Sequence, residues 1–150
     1  MITLRDSIEI GVEPQIVFNW LMKLDENYNE WHPDHVKCVN ETGQFKEGTV
    51  FYTEEYLHGD LHKIRFKAVK IEGNRRIEYK LLFPISIICP RGSFVIQPKN
   101  GNSVFTASLT FRGGRILSRL FRSRIEIQKK HMKEEGENLK NILEAQKNLK

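Results

Sequence analysis

The segment that follows Gly113 and Gly114 constrains the fold more than any other, because it keeps helical periodicity almost to the end of the chain. Its apolar residues recur every three or four positions and are Leu117, Leu120, Phe121, Ile125, Met132, Leu139, Ile142 and Leu143. A helix of ~30 residues spans about 45 Å at ~1.5 Å per residue, and its apolar stripe must be buried against another element. The pattern therefore predicts one long C-terminal helix that begins near Ile116 and needs a large partner.

Five segments before this helix alternate apolar and polar residues, as half-buried strands do. They are residues 49–57, 61–71, 76–83, 92–97 and 103–111, and residues 2–10 follow the same pattern. Short connections with turn-forming residues separate the later segments, which favours an antiparallel arrangement. We therefore predict an α+β fold, in which a curved antiparallel sheet of six to seven strands wraps around the C-terminal helix as one domain over residues 1–150.

Two short helices are predicted between the first strand and the rest of the sheet. Pro14 opens a stretch whose apolar residues have helical spacing. Pro33, in the sequence WHPDH, is expected to open a second helix that carries Asp34, His35 and Val36. This order of elements resembles the helix-grip fold of the START and birch-pollen-allergen (SRPBCC) superfamily, and the resemblance implies a cavity between the sheet and the last helix.

The net charge of +5 does not by itself indicate a nucleic-acid partner. The densest basic group lies within residues 112–133, where it circles the predicted helix and has few aromatic neighbours, as a solvated helix surface does. We therefore expect no nucleic-acid partner and no membrane partner. Cys38 and Cys89 match no metal-binding spacing, and the first residues do not resemble a secretory leader. Both observations are typical of a cytoplasmic protein with free thiols.

A histidine and a glutamate lie on the face of the last helix that should be buried. Position 131 is eleven residues from both 120 and 142, and eleven residues make almost three whole turns, so it lies within about 20° of both. Position 135 falls between 132 and 139 on the same stripe. His131 and Glu135 should therefore point towards the sheet, one turn apart. A buried carboxylate needs a compensating charge or a metal, and a His–Glu hydrogen bond inside the core is the simpler alternative.

Other elements supply further groups that bind metals. His32 and His35 are three residues apart in WHPDH. Glu54 and Glu55 lie in the middle of a strand, so one of them must face inward, and we favour Glu55. Two imidazoles and two carboxylates from three elements form a mixed site that suits zinc and also iron, manganese or nickel.

Three of these sequence features together resemble the zinc-dependent 2,4-diacetylphloroglucinol hydrolases. They are WHPDH, the E-x-L-x-G strand end from Glu55 to Gly59, and H-x-x-x-E on the last helix. Members of that family are helix-grip enzymes that cleave a carbon–carbon bond between an acyl group and a phenolic ring. The resemblance implies that the zinc ligands are His35, Glu55, His131 and Glu135, with His32 and Glu54 as the alternatives for the first two.

Further residues are candidates for catalysis or substrate binding. His32 and His58 could move protons, because histidine titrates near neutral pH. Tyr28 and Trp31 could stack on a substrate, and the Arg91 guanidinium could clamp an anionic group. We expect the cavity to be lined by Trp31, Phe51, Tyr79 or Phe105, and Met132.

Two functions from different classes follow from these observations. The first is a metal-dependent, zinc-containing hydrolase that cleaves a carbon–carbon bond in a small phenolic or diketone-like acyl compound. The second is a non-enzymatic carrier of a small hydrophobic ligand, in which His131 and Glu135 form a buried polar pair. A small-molecule ligand is expected in either case, and the sequence is compatible with a homodimer.

Overall fold

In the computed structural model, which describes residues 1–149 apart from the side chains of residues 117 and 118, the chain forms a seven-stranded antiparallel sheet and a long C-terminal helix. The elements in chain order are β1 (Ile2–Ile10), α1 (Pro14–Leu21), α2 (Leu24–Trp31), β2 (His35–Asn40), β3 (Val50–Leu57), β4 (Asp60–Glu72), β5 (Arg76–Leu81), a 3-10 turn (Ile85–Ile87), β6 (Arg91–Lys99), β7 (Asn102–Phe111), α3 (Arg115–Leu120) and α4 (Arg122–Asn148). The predicted α+β fold with a seven-stranded antiparallel sheet is thereby confirmed.

The first strand joins the sheet out of chain order. β1 pairs with β7, while α1 and α2 carry the chain across to the opposite edge, where β2 pairs with β3. From β2 to β7 each strand pairs with the next along the chain. α4 packs along β1, and α1 packs on β6 and β7. Within residues 1–149, no helix is long and apolar enough to cross a membrane.

The WHPDH segment is not a helix, so that prediction is wrong. The second helix, α2, ends at Trp31, and His35 begins strand β2. Pro33 is the reason, because the residue before a proline is disfavoured in the helical region, and His32 has extended backbone angles (φ −151°, ψ 141°). The His35 N–H then donates to the His32 carbonyl at 3.0 Å, and this turn leads the chain into the sheet.

The hydrophobic core lies where the two short helices and the second half of α4 meet the sheet. α2 forms although its composition is polar, because its three buried residues, Leu24, Tyr28 and Trp31, recur at helical spacing. On the other side of the core, Leu139 and Leu143 of α4 are almost completely buried. The end of α2 and the middle of α4 are thus held against each other by apolar burial on both sides.

The C-terminal helix is interrupted once, near its start. α3 begins at Arg115, one residue before the predicted start at Ile116, and Phe121 (φ −110°, ψ 19°) separates it from α4. Because the two helices are not continuous, α3 does not share the buried stripe of α4. Leu120, which the periodicity predicts to be buried, is therefore 71% exposed. The side chain of Leu117, another predicted stripe position, lies outside the described residues.

Gly136 allows α4 to approach β1 closely. A Cβ atom at this position would lie 3.1 Å from Asp6 Oδ2 and 3.4 Å from Ile8 Cγ2, which is tighter than ordinary packing. A glycine inside a helix costs ~1 kcal/mol relative to alanine, so its presence here is explained by the close approach.

Candidate functional site

Four side chains that the sequence singled out converge at the junction of β2, β3 and α4. His35 Nε2 lies 3.1 Å from Glu135 Oε2 and 3.5 Å from Glu55 Oε2. His131 Nε2 lies 3.4 Å from Glu55 Oε2 and 3.6 Å from Glu135 Oε1. Each carboxylate therefore stands between two imidazoles, and each imidazole stands between two carboxylates. We refer to His35, Glu55, His131 and Glu135 as the four-residue cluster.

His35 enters the cluster because the turn after α2 places it at the start of β2, directly opposite Glu55 of β3. Its Nδ1 atom lies 2.7 Å from the Tyr28 carbonyl, and its ring stacks on the Tyr28 ring at a centroid distance of 3.9 Å. In an uncharged imidazole this bond keeps the proton on Nδ1 and leaves the Nε2 lone pair facing the two carboxylates.

Glu55 faces inward by the alternation of β3. Phe51 and Thr53, on the same face of the strand, are buried, and Glu55 lines the cavity whereas Glu54 does not. The Tyr28 hydroxyl donates to Glu55 Oε2 at 3.2 Å. Tyr28 therefore orients one member of the cluster through its hydroxyl and another through its carbonyl.

Glu135 and His131 are positioned by contacts between α2 and α4. The Trp31 indole Nε1–H donates to the Glu135 carbonyl at 2.9 Å, and Asn138 Nδ2 donates to the Trp31 carbonyl at 3.0 Å. These two bonds tie the end of α2 to the middle of α4. The histidine and carboxylate of α4 are thereby held against the strand that carries His35.

The charges of the cluster stabilise one another. Burial alone would lower the pKa of His131, but the Glu55 and Glu135 carboxylates outweigh it and raise this pKa to about 9. Burial alone would raise the pKa of Glu55, but His131, His35 and the Tyr28 hydroxyl keep it below its usual value. Burial first, and then the Glu55 charge, raise the pKa of Tyr28 well above 10.0, so its hydroxyl is a neutral donor. In the absence of a metal, His131 is therefore protonated at neutral pH and lies between the two carboxylates.

The geometry of the cluster also fits a divalent transition metal. The Nε2 atoms of His35 and His131 are buried and have no hydrogen-bond partner. His35, Glu55 and His131 each bring one ligand atom within 4.8 Å of the other two, and Glu135 approaches His35 through Oε2 and His131 through Oε1. Two nitrogens and two carboxylate oxygens suit zinc, and also iron, manganese or nickel. The ligand role of these residues stays a prediction.

His32 lies beside the cluster and has a different hydrogen-bonding state from His35. Its Nδ1 accepts the Asp34 backbone N–H at 2.9 Å, so an uncharged His32 carries its proton on Nε2. The ring centroid lies 4.2 Å from that of His131, and Glu134 Oε2 lies 3.8 Å from His32 Nε2. Burial, and then the charges of His131 and His35, lower the pKa of His32. This state favours His35 over His32 as the ligand, and the proposed catalytic role of His32 stays a prediction.

A cavity of about 490 Å³ opens from the cluster between the sheet and α4. Trp31, Tyr79 and Met132 line it, as we expected. Of the alternatives Tyr79 and Phe105, Tyr79 is therefore the lining residue. Phe51 does not line the cavity, so this part of the prediction is wrong: both phenylalanine rings are at most 2% exposed. Each is enclosed by other aromatic rings, which are Phe45 and Phe66 for Phe51, and Phe94 for Phe105.

The remaining predicted site residues are divided between the cavity and the surface. Tyr28 and His58 line the cavity. Arg91 does not line it, because it lies on the exposed face of β6, while its neighbour Gly92 turns inward. The proposed substrate contact of Arg91 has no support in this arrangement. Two arginines that the sequence pattern assigned to a solvated helix surface, Arg112 and Arg124, line the cavity instead.

The comparisons with known proteins agree with this architecture. A family model described as polyketide cyclase / dehydrase and lipid transport matches residues 1–144. Among curated proteins, none matches the sequence closely enough to be called a relative.

Several solved structures share the fold at low sequence identity. TTHA0849 from Thermus thermophilus is 14% identical, with a TM-score of 0.78 over 96% of this chain and 98% of its own. The Zhui aromatase/cyclase from a Streptomyces species is 12% identical, with a TM-score of 0.75 over 95% of this chain and 93% of its own. A norcoclaurine synthase from Thalictrum flavum is 10% identical, with a TM-score of 0.77 over 97% of this chain and 96% of its own. These likenesses establish the helix-grip fold.

The raised pKa of His131 predicts how the stability of the chelated, metal-free protein depends on pH. A histidine whose pKa is raised on folding contributes stability that is fully present below ~6.5 and lost as the pH rises through the folded value of about 9. We expect the free energy of unfolding to fall by about 2 kcal/mol between pH 6.5 and 8.5.

Urea unfolding in the presence of a chelator measures this dependence. The isosteric variant His131→Asn should lose most of the decline over the same interval, because it has no titrating group at this position. An equally steep decline in His131→Asn would show that another group is responsible.

Proposed function

This chain belongs to the polyketide cyclase / dehydrase and lipid transport family, and from that premise we propose that it is a metal-dependent hydrolase acting on a small acyl compound. Its metal, for which zinc is the first choice, is held by His35, Glu55, His131 and Glu135. Its substrate is a phenolic or diketone-like acyl compound, which binds in the cavity between the sheet and α4. The reaction cleaves the carbon–carbon bond beside the carbonyl.

One observation carries the proposal. The four nitrogen–oxygen distances in the cluster run from 3.1 to 3.6 Å. Three of these separations exceed ~3.2 Å, where the usual range of hydrogen bonds ends, and one ligand atom each from His35, Glu55 and His131 lies within 4.8 Å of the other two, so these three residues could hold one metal ion. The Glu55 and Glu135 side chains are only 14% and 20% exposed, so their charges need a compensating cation. A protonated His131 supplies one positive charge, and a divalent metal ion would supply two.

The bound metal would polarise the substrate carbonyl and supply an activated water. In the balanced reaction the water oxygen joins the acyl carbon, the bond from that carbon to the ring breaks, and the ring carbon takes a proton. The apolar walls of the cavity hold the ring, and Tyr28 keeps Glu55 in place. His58 lines the same cavity and is our candidate for delivering the proton, and His32 contacts the cluster from the other side.

A second function is favoured by the composition of the cavity wall. Most of the lining residues are apolar, among them Ile64, Leu81, Ile85, Phe94 and Leu109. Such a wall is also suited to a carrier that binds a small hydrophobic ligand without chemistry. In that case the positive charge of a protonated His131 compensates the negative charge of the two carboxylates, and no metal is required.

Metal content separates the two functions. Protein purified without chelator should contain about one zinc or other transition-metal ion per chain, measured by elemental mass spectrometry. Glu55→Gln should lose the metal, because it removes one anionic ligand. Glu54→Gln is the matched control, since it changes the neighbouring residue of the same strand and should retain the metal. Wild-type protein without stoichiometric metal, or equal metal content in both variants, contradicts the proposal.

Turnover tests the reaction itself. The zinc-loaded protein should convert 2,4-diacetylphloroglucinol to a monoacetyl product and acetate, measured by liquid chromatography. The chelated protein and His131→Ala should bind the compound without converting it, because both lack the group that polarises the carbonyl. Circular dichroism checks that His131→Ala is folded. The carrier function would be favoured if the zinc-loaded and the chelated protein bind the compound equally tightly and the zinc-loaded protein forms no product.

A further inference from the structure

Two arginines at the rim of the cavity have no carboxylate partner in the described part of the chain. Arg112 follows the end of β7, and its backbone N–H donates to the Ile88 carbonyl at 2.7 Å, which holds it beside the 3-10 turn. Arg124 lies in the first turn of α4 with its guanidinium 5.6 Å from the centre of the Phe121 ring. Both line the cavity, and neither side chain forms an ion pair.

Few acidic residues lie near these arginines along the chain, and Glu126, two residues after Arg124, pairs with Lys129. No Asp or Glu occurs between Glu78 and Glu126, a stretch that includes β6, β7 and α3. The carboxylates of the four-residue cluster lie at a different depth of the cavity. Arg124 precedes His131 by seven residues, which is about 10 Å along the helix axis at ~1.5 Å per residue.

Charged groups line the cavity at two levels of α4. The four-residue cluster lies at the level of His131, and Arg124 lies about two helical turns towards the start of α4, while Arg112 lines the same cavity from the end of β7 and Asp60 lines it from the start of β4. The walls of the cavity, which include Tyr79, Leu109 and Met132, are largely apolar, and both arginine side chains are exposed to solvent at its edge. An anionic group would be repelled at the level of Glu55 and Glu135 and attracted at the rim.

We propose that Arg112 and Arg124 form an anion subsite, which binds the carboxylate of an amphipathic ligand whose apolar part fills the cavity. Guanidinium groups suit this task, because each can donate two parallel hydrogen bonds to one carboxylate. Gln128 lies one turn after Arg124, also lines the cavity, and supplies a further amide donor. The inference rests on the ligand binding proposed above, but it does not depend on the metal.

The subsite determines the orientation of the ligand. With its carboxylate at the rim, the ligand presents its other end to Glu55 and His131. A chain of eight to ten carbons spans ~10 Å, which is the separation along α4 derived above. The substrate class that follows is an acyl compound with an acidic group remote from its reacting carbonyl.

Decanoate and decan-1-ol test the inference, because they share a chain length and differ in charge at pH 7.5. Isothermal titration calorimetry at low ionic strength should show that wild-type protein binds decanoate roughly three- to tenfold more tightly than decan-1-ol. The double variant Arg112→Gln/Arg124→Gln should lose this preference and keep its affinity for decan-1-ol. Added salt should weaken the binding of decanoate alone.

The matched control is the double variant Arg75→Gln/Arg91→Gln. It removes the same net charge from exposed positions that do not line the cavity, and it should keep the wild-type preference. The anion subsite is overturned if wild-type protein binds the two compounds equally tightly, or if both double variants lose the preference for decanoate to the same extent. Neither result contradicts ligand binding by the cavity. Failure of wild-type protein to bind either compound overturns ligand binding by the cavity, and the subsite with it.

Discussion

The need to compensate two carboxylates next to buried imidazoles governs the site. Glu55 and Glu135 come from different elements, and the fold brings both within 3.6 Å of imidazole nitrogens that have no hydrogen-bond partner. Charges in such a position are unfavourable unless they are paired. A proton on His131 compensates part of this charge, and the proposed divalent ion would compensate more. Under that proposal, proton and metal would compete for the same nitrogen.

The surrounding structure holds this charged group in place. The end of α2 contributes most, because Trp31 donates to the backbone of Glu135 while Tyr28 contacts both His35 and Glu55. Gly136, which follows Glu135 directly, lets α4 lie close to β1. The same helix then carries Arg124 at the rim. One helix thus determines both the position of the cluster and the spacing between the cluster and the anion subsite.

The sequence predicted which side chains converge better than it predicted the local structure around them. Helical phase on α4 and alternation on β3 each depend on one element, so the inward orientation of His131, Glu135 and Glu55 could be derived from spacing. The segment with His35 was assigned to a helix, because Pro33 was interpreted as a helix start and not as the end of the preceding one. His35 still reaches the cluster, since β2 is an edge strand paired with β3.

The features that were missed depend on tertiary packing. Leu120 has the right periodicity, but the interruption at Phe121 removes α3 from the stripe. Phe51 has the right face, yet neighbouring rings enclose it. The sequence pattern predicts a uniform solvated surface for the arginines around α3, and only the fold shows that Arg112 and Arg124, although exposed, line the cavity whereas Arg91 does not. No spacing rule in the sequence carries that information.

X-ray absorption at the zinc edge tests the central claim most directly, because it reports the atoms around the metal in the zinc-loaded protein. The account predicts one zinc per chain with two imidazole nitrogens and two carboxylate oxygens at ~2.0–2.2 Å. It also predicts that His35→Ala reduces the imidazole scattering by one ligand or abolishes binding. A spectrum with sulfur ligands, with oxygen alone, or unchanged in His35→Ala would contradict a metal centre built on His35, Glu55, His131 and Glu135.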